Sequence, residues 1–298
     1  MTLIPVETPE DFLLAQQFII SHEETCASLA SLVRRRTDKL VLLVKSENTV
    51  VAVPEPVEGV EITAVLGIIN LDSTIYHCIP NPEQLDADFL KAELPYLMKK
   101  PVRCISGETS GTQFLIDVFE QGNFDKLNHP VQVYEYKMMH WRNLSTVVEP
   151  VETTLSGGEE IIRCTEHDME ILHPLQKDYM KDEVAVPGRP ITDAEVDITL
   201  RNILKNQLCF ALTVDGDIVA KANTNAIGIN CIQIGGVYSH PLYRRNGYAG
   251  ALVLALCNRA VRSHKTPVLF VKEKNMPAFT LYRKLGFEEC GQYTIAYY

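Results

Sequence analysis

A strand that passes through a basic turn into a helix is the segment best suited to chemistry. It runs from Gln233 to Gly250 and contains Gly235-Gly236, Arg244-Arg245 and Gly247. Unpaired backbone N–H groups and the positive end of the dipole at a helix start attract phosphate, and glycine allows a ligand to approach the backbone closely. The pattern therefore predicts a phosphate-binding turn, to which the two arginines add positive charge.

This turn resembles a known motif. The segment 244–249, Arg-Arg-Asn-Gly-Tyr-Ala, is similar to the pyrophosphate loop Q/R-x-x-G-x-G/A of the GNAT N-acetyltransferases, with Arg244, Gly247 and Ala249 at its defining positions. Many members of the superfamily have glycine where this chain has Arg245. The resemblance covers roughly residues 161–298, because the downstream strand and the tyrosine-bearing helix that starts at an asparagine also follow in the expected order.

The resemblance implies an acetyltransferase that uses acetyl-CoA as co-substrate, needs no metal, and moves the acetyl group directly to a primary amine in a ternary complex. Tyr282 lies where the superfamily has its general acid, and Glu183 is the candidate general base, with Glu273 a second candidate. A core aromatic residue and an exposed acidic loop remain the competing interpretations of Tyr282 and Glu183. The predicted cofactor-binding residues are Val237, Tyr238, Ser239, Arg244, Arg245, Asn246, Gly247, Tyr248, Ala249 and Asn275.

The elements that must position these residues follow from periodicity and punctuation. Residues 166–181 and 193–206 have helical spacing, and strands are predicted over 208–214, 218–226, 231–239 and 268–272. The apolar stripe after Ala249 indicates a helix packed on a sheet. Asn275, Pro277 and Gly286 delimit the next helix, and a last strand alternates from Tyr293.

The N-terminal half has a parallel order on weaker patterns. Helices are predicted over 11–21, 83–98 and 111–120, and strands over 39–45, 61–69, 74–79, 102–106 and 131–141. We therefore predict two copies of one α/β fold in tandem, each with a mixed, mostly antiparallel sheet flanked by helices. The predicted domains are 1–145, which is GNAT-like but degenerate, a linker over 146–160, and the catalytic domain over 161–298.

Two segments explain why the first copy is expected to be degenerate. The strand that ends near Ile79 leads into Pro-Asn-Pro-Glu instead of a basic glycine loop, and proline supplies no N–H for a phosphate. The segment Ser106–Thr112 looks superficially like a phosphate loop but lacks the lysine of a Walker motif. We expect it to cap the helix that follows.

Composition limits the other functions. A formal net charge of -10 argues against nucleic acid as partner, and no stretch is long and apolar enough to span a membrane. The eight cysteines are scattered and the N-terminus lacks the features of a signal peptide, so a cytoplasmic location is predicted. A small-molecule or peptide amine is the expected acceptor, and the oligomeric state is left open. The alternatives are a non-catalytic acyl-CoA sensor or scaffold, and a protein that binds another phosphorylated ligand.

Overall fold

The chain folds into two compact units. The computed structural model describes residues 1–35, 40–46, 61–69, 73–98, 101–122, 130, 132–142, 158–185 and 189–298. One unit comprises Met1–Met138 together with Cys290–Tyr298, and the other comprises Met139–Glu289. The C-terminal residues thus belong to the first unit, although the predicted domain 161–298 includes them. Most of the predicted linker lies outside the described residues, so the predicted domain bounds stay a prediction.

The first unit has one mixed sheet, in the order β1-β2-β3-β4-β5-β12-β6. Strands β4 and β5 pair in parallel, whereas β1 with β2, β2 with β3, β3 with β4 and β5 with β12 are antiparallel. Apart from β12 (Phe287–Tyr297), the helices and strands of the first unit are, in chain order, β1 (Thr2–Pro5), α1 (Pro9–Ile20), α2 (Ala27–Arg35), β2 (Leu40–Ser46), β3 (Glu61–Ile69), β4 (Thr74–Cys78), α3 (Ala87–Leu97), β5 (Cys104–Glu108), α4 (Thr109–Gln121) and β6 (Gln132–Trp141).

The two faces of this sheet are covered by different helices, as the alternation of side chains along β3 requires. Leu66 packs in a core with Leu90 of α3 and Leu115 of α4, whereas its neighbour Val65 packs with Leu29 of α2 and with α1. Successive strand residues point to opposite faces, so apolar residues at both parities bury the sheet on both sides.

The second unit repeats this order of elements. Its strands lie in the order β11-β10-β9-β8-β7, with β10 and β11 parallel and the other pairs antiparallel. The elements are β7 (Glu159–Arg163), α5 (Met169–Tyr179), α6 (Asp193–Asn206), β8 (Cys209–Val214), β9 (Asp217–Ile227), β10 (Cys231–Ser239), α7 (Tyr248–Val261), β11 (Thr266–Lys272), α8 (Met276–Lys284) and β12 (Phe287–Tyr297).

Here too two helix pairs cover opposite sheet faces. Leu212 of β8 lies in a core with Leu252 of α7, while the adjacent Ala211 lies in a core with Leu172 of α5 and Leu200 of α6. Mixed sheets with flanking helices therefore confirm the predicted fold class.

Strand β12 is shared between the units. Phe287, at its start, is buried in the core of the second unit, and residues from Tyr293 onward pair with β5 of the first. The last residues of β6 show the converse, since Met139 and Trp141 are buried in the core of the second unit.

Element bounds agree closely with the sequence predictions where capping signals are strong. Thr192 and Asn275 accept hydrogen bonds from backbone N–H groups at the starts of α6 and α8, and Glu108 does so for α4. The predicted capping role of the segment Ser106–Thr112 is thus confirmed. No helix of the described residues is long and apolar enough to cross a membrane.

Candidate functional site

A bulge in β10 forms the centre of the candidate site in the second unit. Gly235 pairs with Asn223 of β9 and Tyr238 pairs with Lys221, so two β10 residues, Gly236 and Val237, lie opposite one residue of β9. Such a bulge bends the strand and takes the extra residue out of the ladder. The register therefore gives Val237 no partner on β9.

The two glycines of the bulge are required by space and by backbone conformation. A Cβ on Gly235 would lie 2.1 Å from the amide nitrogen of Asn225, and one on Gly236 would lie 1.9 Å from Oδ1 of Asn223. Gly236 also has φ +57°, in the left-handed region that favours glycine. Any side chain at Gly236 would both strain the backbone and displace Asn223.

Strands β10 and β11 separate beside this bulge. They pair in parallel only from Cys231 with Thr266 to Ile234 with Leu269, although β10 continues to Ser239 and β11 to Lys272. The register therefore leaves the bulged end of β10 without a partner on β11 as well. Backbone N–H and C=O groups in such a gap can pair with an extended ligand.

The basic glycine turn follows at the end of β10. Gly247 has φ +82° and is the N-cap of α7, and no side chain caps this helix start. Arg245 has φ +68°, so it lies in the left-handed region although it is not glycine. The phenol of Tyr248, in the first turn of α7, donates to the carboxylate of Glu159 in β7. The helix start is thus anchored while its N–H groups remain free of a side-chain cap.

Arg244 is held beside the end of β10. Its Nε donates to the Ser239 carbonyl at 3.2 Å, its Nη2 lies 3.5 Å from Oδ2 of Asp182, and its guanidinium lies 5.5 Å from the centre of the Tyr238 ring. The Tyr238 hydroxyl donates to the same oxygen of Asp182 at 2.8 Å. Burial of the phenol, and to a lesser extent its hydrogen bond to Asp182, raises the pKa of Tyr238 to about 12.

The end of α5 brings acidic and aromatic groups to the site. The helix predicted over 166–181 becomes a π-helical turn at Met180–Val184, which carries Asp182 and Glu183. π-Helical turns within helices are frequent at functional sites because they redirect the side chains that follow. Tyr179, just before the turn, packs edge-on against Tyr238 with ring centres 6.1 Å apart.

The two predicted catalytic residues lie near Tyr179. Tyr282 of α8 is 7% exposed and its ring centre is 6.0 Å from that of Phe287. Burial, and then the nearby Tyr179 and Glu183, raise the pKa of Tyr282, so its phenol is protonated at neutral pH.

Helix α8 ends where the indole N–H of Trp141 donates to the Leu285 carbonyl at 2.7 Å.

Glu183 is a partly exposed carboxylate paired with a lysine. Its Oε2 lies 3.5 Å from Nζ of Lys272, which also donates to the Glu183 backbone carbonyl.

The remaining predicted cofactor residues occupy the same turn and the next helix start. Asn246 donates to the Tyr243 carbonyl at 3.2 Å, and Oδ1 of Asn275 accepts from the Ala278 N–H at 3.2 Å. Asn275 thus caps α8 with its side-chain oxygen, and its amide nitrogen is the group left for other partners.

A buried lysine beneath the bulge was missed by the sequence analysis. Lys221 of β9 is 1% exposed, and its ammonium donates to the Gly236 carbonyl at 2.9 Å and to Oδ1 of Asn223 at 3.0 Å. It also lies 4.7 Å from the centre of the Tyr179 ring. Burial lowers its pKa to about 8. The signal was present in the sequence, because Lys221, Asn223 and Asn225 alternate along the strand and therefore share one face of it.

The corresponding place in the first unit is filled. Strands β4 and β5 pair in parallel from Thr74 to Tyr76, and the next residue, His77, packs its ring where Gly107 and Gly111 leave room. A Cβ on Gly107 would lie 2.1 Å from this ring, whose Nε2 is 2.8 Å from the Thr112 hydroxyl. Burial lowers the pKa of His77 to about 3, so the ring is neutral.

The helix that follows β4 is also closed to an anion. Asp86 caps the start of α3, and its carboxylate accepts from the N–H groups of Asp88 and Phe89 at 3.0 Å each. A negative side chain here occupies the donors that a phosphate would need and repels it. The open strand gap and uncapped helix start therefore occur together in the second unit.

Comparisons with known proteins find similarity in this part of the chain and in the fold of the chain. Residues 217–295 match the family model of FR47-like protein. A Drosophila protein of known structure superposes with a TM-score of 0.63 at 12% identity, over 99% of this chain and 98% of that chain. An acetyltransferase of the GNAT family from Colwellia psychrerythraea gives a TM-score of 0.54 at 10% identity, over 100% and 99% of the chains.

A GCN5-related N-acetyltransferase from Kribbella flavida gives a TM-score of 0.53 at 15% identity, over 91% and 93% of the chains. A search of curated protein sequences finds no match. At these identities the structures establish a similarity of fold, which extends over both units.

Proposed function

We propose that this chain, whose fold is that of the GNAT superfamily, transfers the acetyl group of acetyl-CoA to a primary amine at the site in its second unit. The observation that carries the proposal is the open end of β10, where the strand that contains the bulge at Gly236 leads through residues 240–247 to the uncapped start of α7. One extended ligand with a polar arm and a phosphate group fits both features.

The backbone of Val237, Tyr238 and Ser239 is proposed to bind the pantetheine arm and the acetyl carbonyl. The turn from Arg244 to Ala249 is proposed to bind the pyrophosphate. Arg244 lies 3.5 Å from Asp182, a pair that is half exposed and therefore weak, so a phosphate can compete for the guanidinium. The N–H groups at the start of α7 need no rearrangement to receive it.

The proposed reaction is a direct transfer. The neutral amine attacks the thioester carbonyl carbon, and the carbonyl oxygen takes up negative charge. The carbonyl re-forms as the carbon–sulfur bond breaks with its electron pair leaving on sulfur, and the nitrogen, cationic after the attack, loses its extra proton to solvent. Tyr282, protonated at neutral pH, is proposed to supply the proton to that sulfur, and Glu183 to accept the proton that the incoming ammonium must lose. The carboxylates of Asp182 and Glu183 lie beside the site, and their negative charge favours an acceptor that arrives as a cation.

Calorimetric titration with acetyl-CoA tests the binding step. We expect micromolar binding by the wild-type protein and its loss in an Arg244→Ala plus Gly247→Asp variant, because the variant removes one cation and places an anion at the helix start. Arg262→Ala is the matched control, since Arg262 is exposed at the C-terminal end of the same helix.

Turnover is tested by detecting free thiol with a panel of primary amines. Saturable binding together with amine-dependent thiol release supports the enzyme. Binding without release with any amine favours the non-catalytic sensor, and the absence of binding by folded wild-type protein refutes the proposal.

A further inference from the structure

Lys221 is a buried lysine, and its position in a β-strand does not explain why a charged side chain is buried there. It lies in the middle of β9, and no carboxylate among the described residues forms an ion pair with it. Burying an ammonium in such surroundings costs free energy. The residue therefore weakens the fold that contains it, which suggests a role at the site above it.

The ammonium is directed at one peptide group. Of its three donors, one binds the Gly236 carbonyl at 2.9 Å, one binds Asn223 at 3.0 Å, and the cation faces the Tyr179 ring. The Gly236 carbonyl belongs to the peptide whose N–H is that of Val237. A cation bound to the oxygen of a peptide draws electron density from its nitrogen, and in a low-dielectric interior this strengthens the N–H as a donor.

That N–H lies in the bulge. Neither the register with β9 nor the register with β11 gives Val237 a partner. The Val237 N–H is thus the donor that the ammonium of Lys221 strengthens. A ligand bound between β10 and β11 could accept a hydrogen bond from it.

We propose that Lys221 is a positioning residue that fixes the bulge and polarises the Gly236–Val237 peptide, so that the Val237 N–H binds the thioester oxygen more strongly as negative charge develops there. This inference rests on the proposed acetyl transfer. Lys221 itself takes no part in bond making, because its donors are engaged and its lone pair is protonated in the form that binds Gly236.

The charge on Lys221 gives this role a pH dependence. With a pKa of about 8, the ammonium loses its proton as the pH rises through that value, and the polarisation of the peptide falls with it. The titratable groups that face it are Tyr179 of α5, whose pKa burial raises to about 12, and the thiols of Cys164 and Cys209. A hydrogen bond between these thiols lowers the pKa of Cys209 and raises that of Cys164.

The test uses the infrared spectrum of acetyl-CoA labelled with ¹³C at the carbonyl, bound to the full-length protein. A stronger hydrogen bond lowers the stretching frequency of this carbonyl, and the measurement needs no acceptor amine. We expect the wild-type protein to lower the frequency, Lys221→Met to lose most of that change, and the wild-type value to approach that of the variant as the pH is raised past about 8.

Lys265→Met is the matched control. Lys265 also donates to backbone carbonyls, those of Gly228 and Ile229, but near the opposite end of β10. It should leave the carbonyl frequency unchanged. Repeating the pH titration on Cys209→Ala should preserve the transition, which separates the lysine from the neighbouring thiol.

Turnover gives a second measure once an acceptor amine is found. The kcat of the wild-type protein is expected to exceed that of Lys221→Met by about 10- to 100-fold near neutral pH, which is typical when a group that positions a functional group is removed. This ratio is expected to fall at alkaline pH. Taking the ratio cancels the ionisation of the acceptor.

The outcomes are distinct. Saturable acetyl-CoA binding with the same carbonyl frequency in the wild type and Lys221→Met, or a wild-type frequency that does not change with pH, overturns the role of Lys221 alone. No binding by wild-type protein refutes the proposed function and this inference together. If Lys221→Met fails to fold, the pH titration of the wild-type protein still decides between these results.

Discussion

Replacing Lys221 with methionine is expected to change how the stability of the second unit depends on pH. The pKa of Lys221 is about 8 in the folded protein, against an ordinary value of 10.5. Each pKa unit corresponds to about 1.4 kcal/mol, so holding this lysine charged inside the fold costs about 3 kcal/mol at neutral pH. Because the unfolded chain binds the proton more tightly, the free energy of unfolding rises as the pH increases from about 8 toward 10.5.

The magnitude can be stated for a practical range. Between about pH 7.5 and about pH 9.5, the wild-type protein should gain about 2 kcal/mol relative to Lys221→Met. The variant lacks the titrating group, so subtracting its pH profile removes contributions from the other residues that ionise in this range.

Urea denaturation followed by tryptophan fluorescence measures this difference. Trp141 is the single tryptophan of the chain and is 1% exposed in the core of the second unit, so its emission reports the unfolding of that unit. A wild-type minus variant difference that stays constant across the range would refute the assignment of a buried, charged Lys221. A difference that falls with rising pH would mean that the lysine is stabilised by its surroundings.

Two further substitutions test the geometry of the site. Gly236→Ala should lower the free energy of unfolding by about 2 kcal/mol or more in urea denaturation, because the left-handed backbone is strained by a side chain and the added Cβ clashes with Asn223. Gly216→Ala is the control, since Gly216 has φ +92° but no neighbouring atom within 4 Å of an added Cβ. Equal losses of stability in the two variants would show that the clash contributes nothing. Tyr282→Phe should reduce kcat by about 100-fold while acetyl-CoA still binds with wild-type affinity in calorimetry, and an unchanged kcat would leave Tyr282 a core residue.

Much of the fold could be predicted because its signals are local. The bounds of α6, β3 and β10 follow directly from periodicity and capping, and the glycine turn before α7 has the left-handed residue that its sequence requires. The predicted fold is confirmed by its similarity to solved structures that include an acetyltransferase of the GNAT family, and residues 217–295 match the family model of FR47-like protein.

Other elements were missed because their signals are weak or non-local. Strands β1 and β7 are short and α2 has few boundary residues, so their patterns did not stand out. The π-helical turn at Met180–Val184 has no periodicity of its own, although it sets the positions of Asp182 and Glu183.

The role of Lys221 could not be predicted for a similar reason. A lysine in a strand looks like an exposed residue until the register places it opposite Tyr238 and beneath Gly236. The pairing of β12 with β5 links residues almost two hundred positions apart, and no local pattern encodes such a partner.

The sharing of β12 has a consequence for how the protein is synthesised. Residues 1–138 leave the ribosome first, yet one edge of β5 has no antiparallel partner until Tyr293–Tyr297 have been translated. The unit that begins first is therefore completed last, after the whole second unit has been made. A nascent or truncated chain ending near residue 145 would present β5 as an open strand edge, which is a template for aggregation. Expression of residues 1–138 alone should for this reason give poorly soluble protein, whereas a version of the first unit with residues 290–298 joined to it would restore the missing strand.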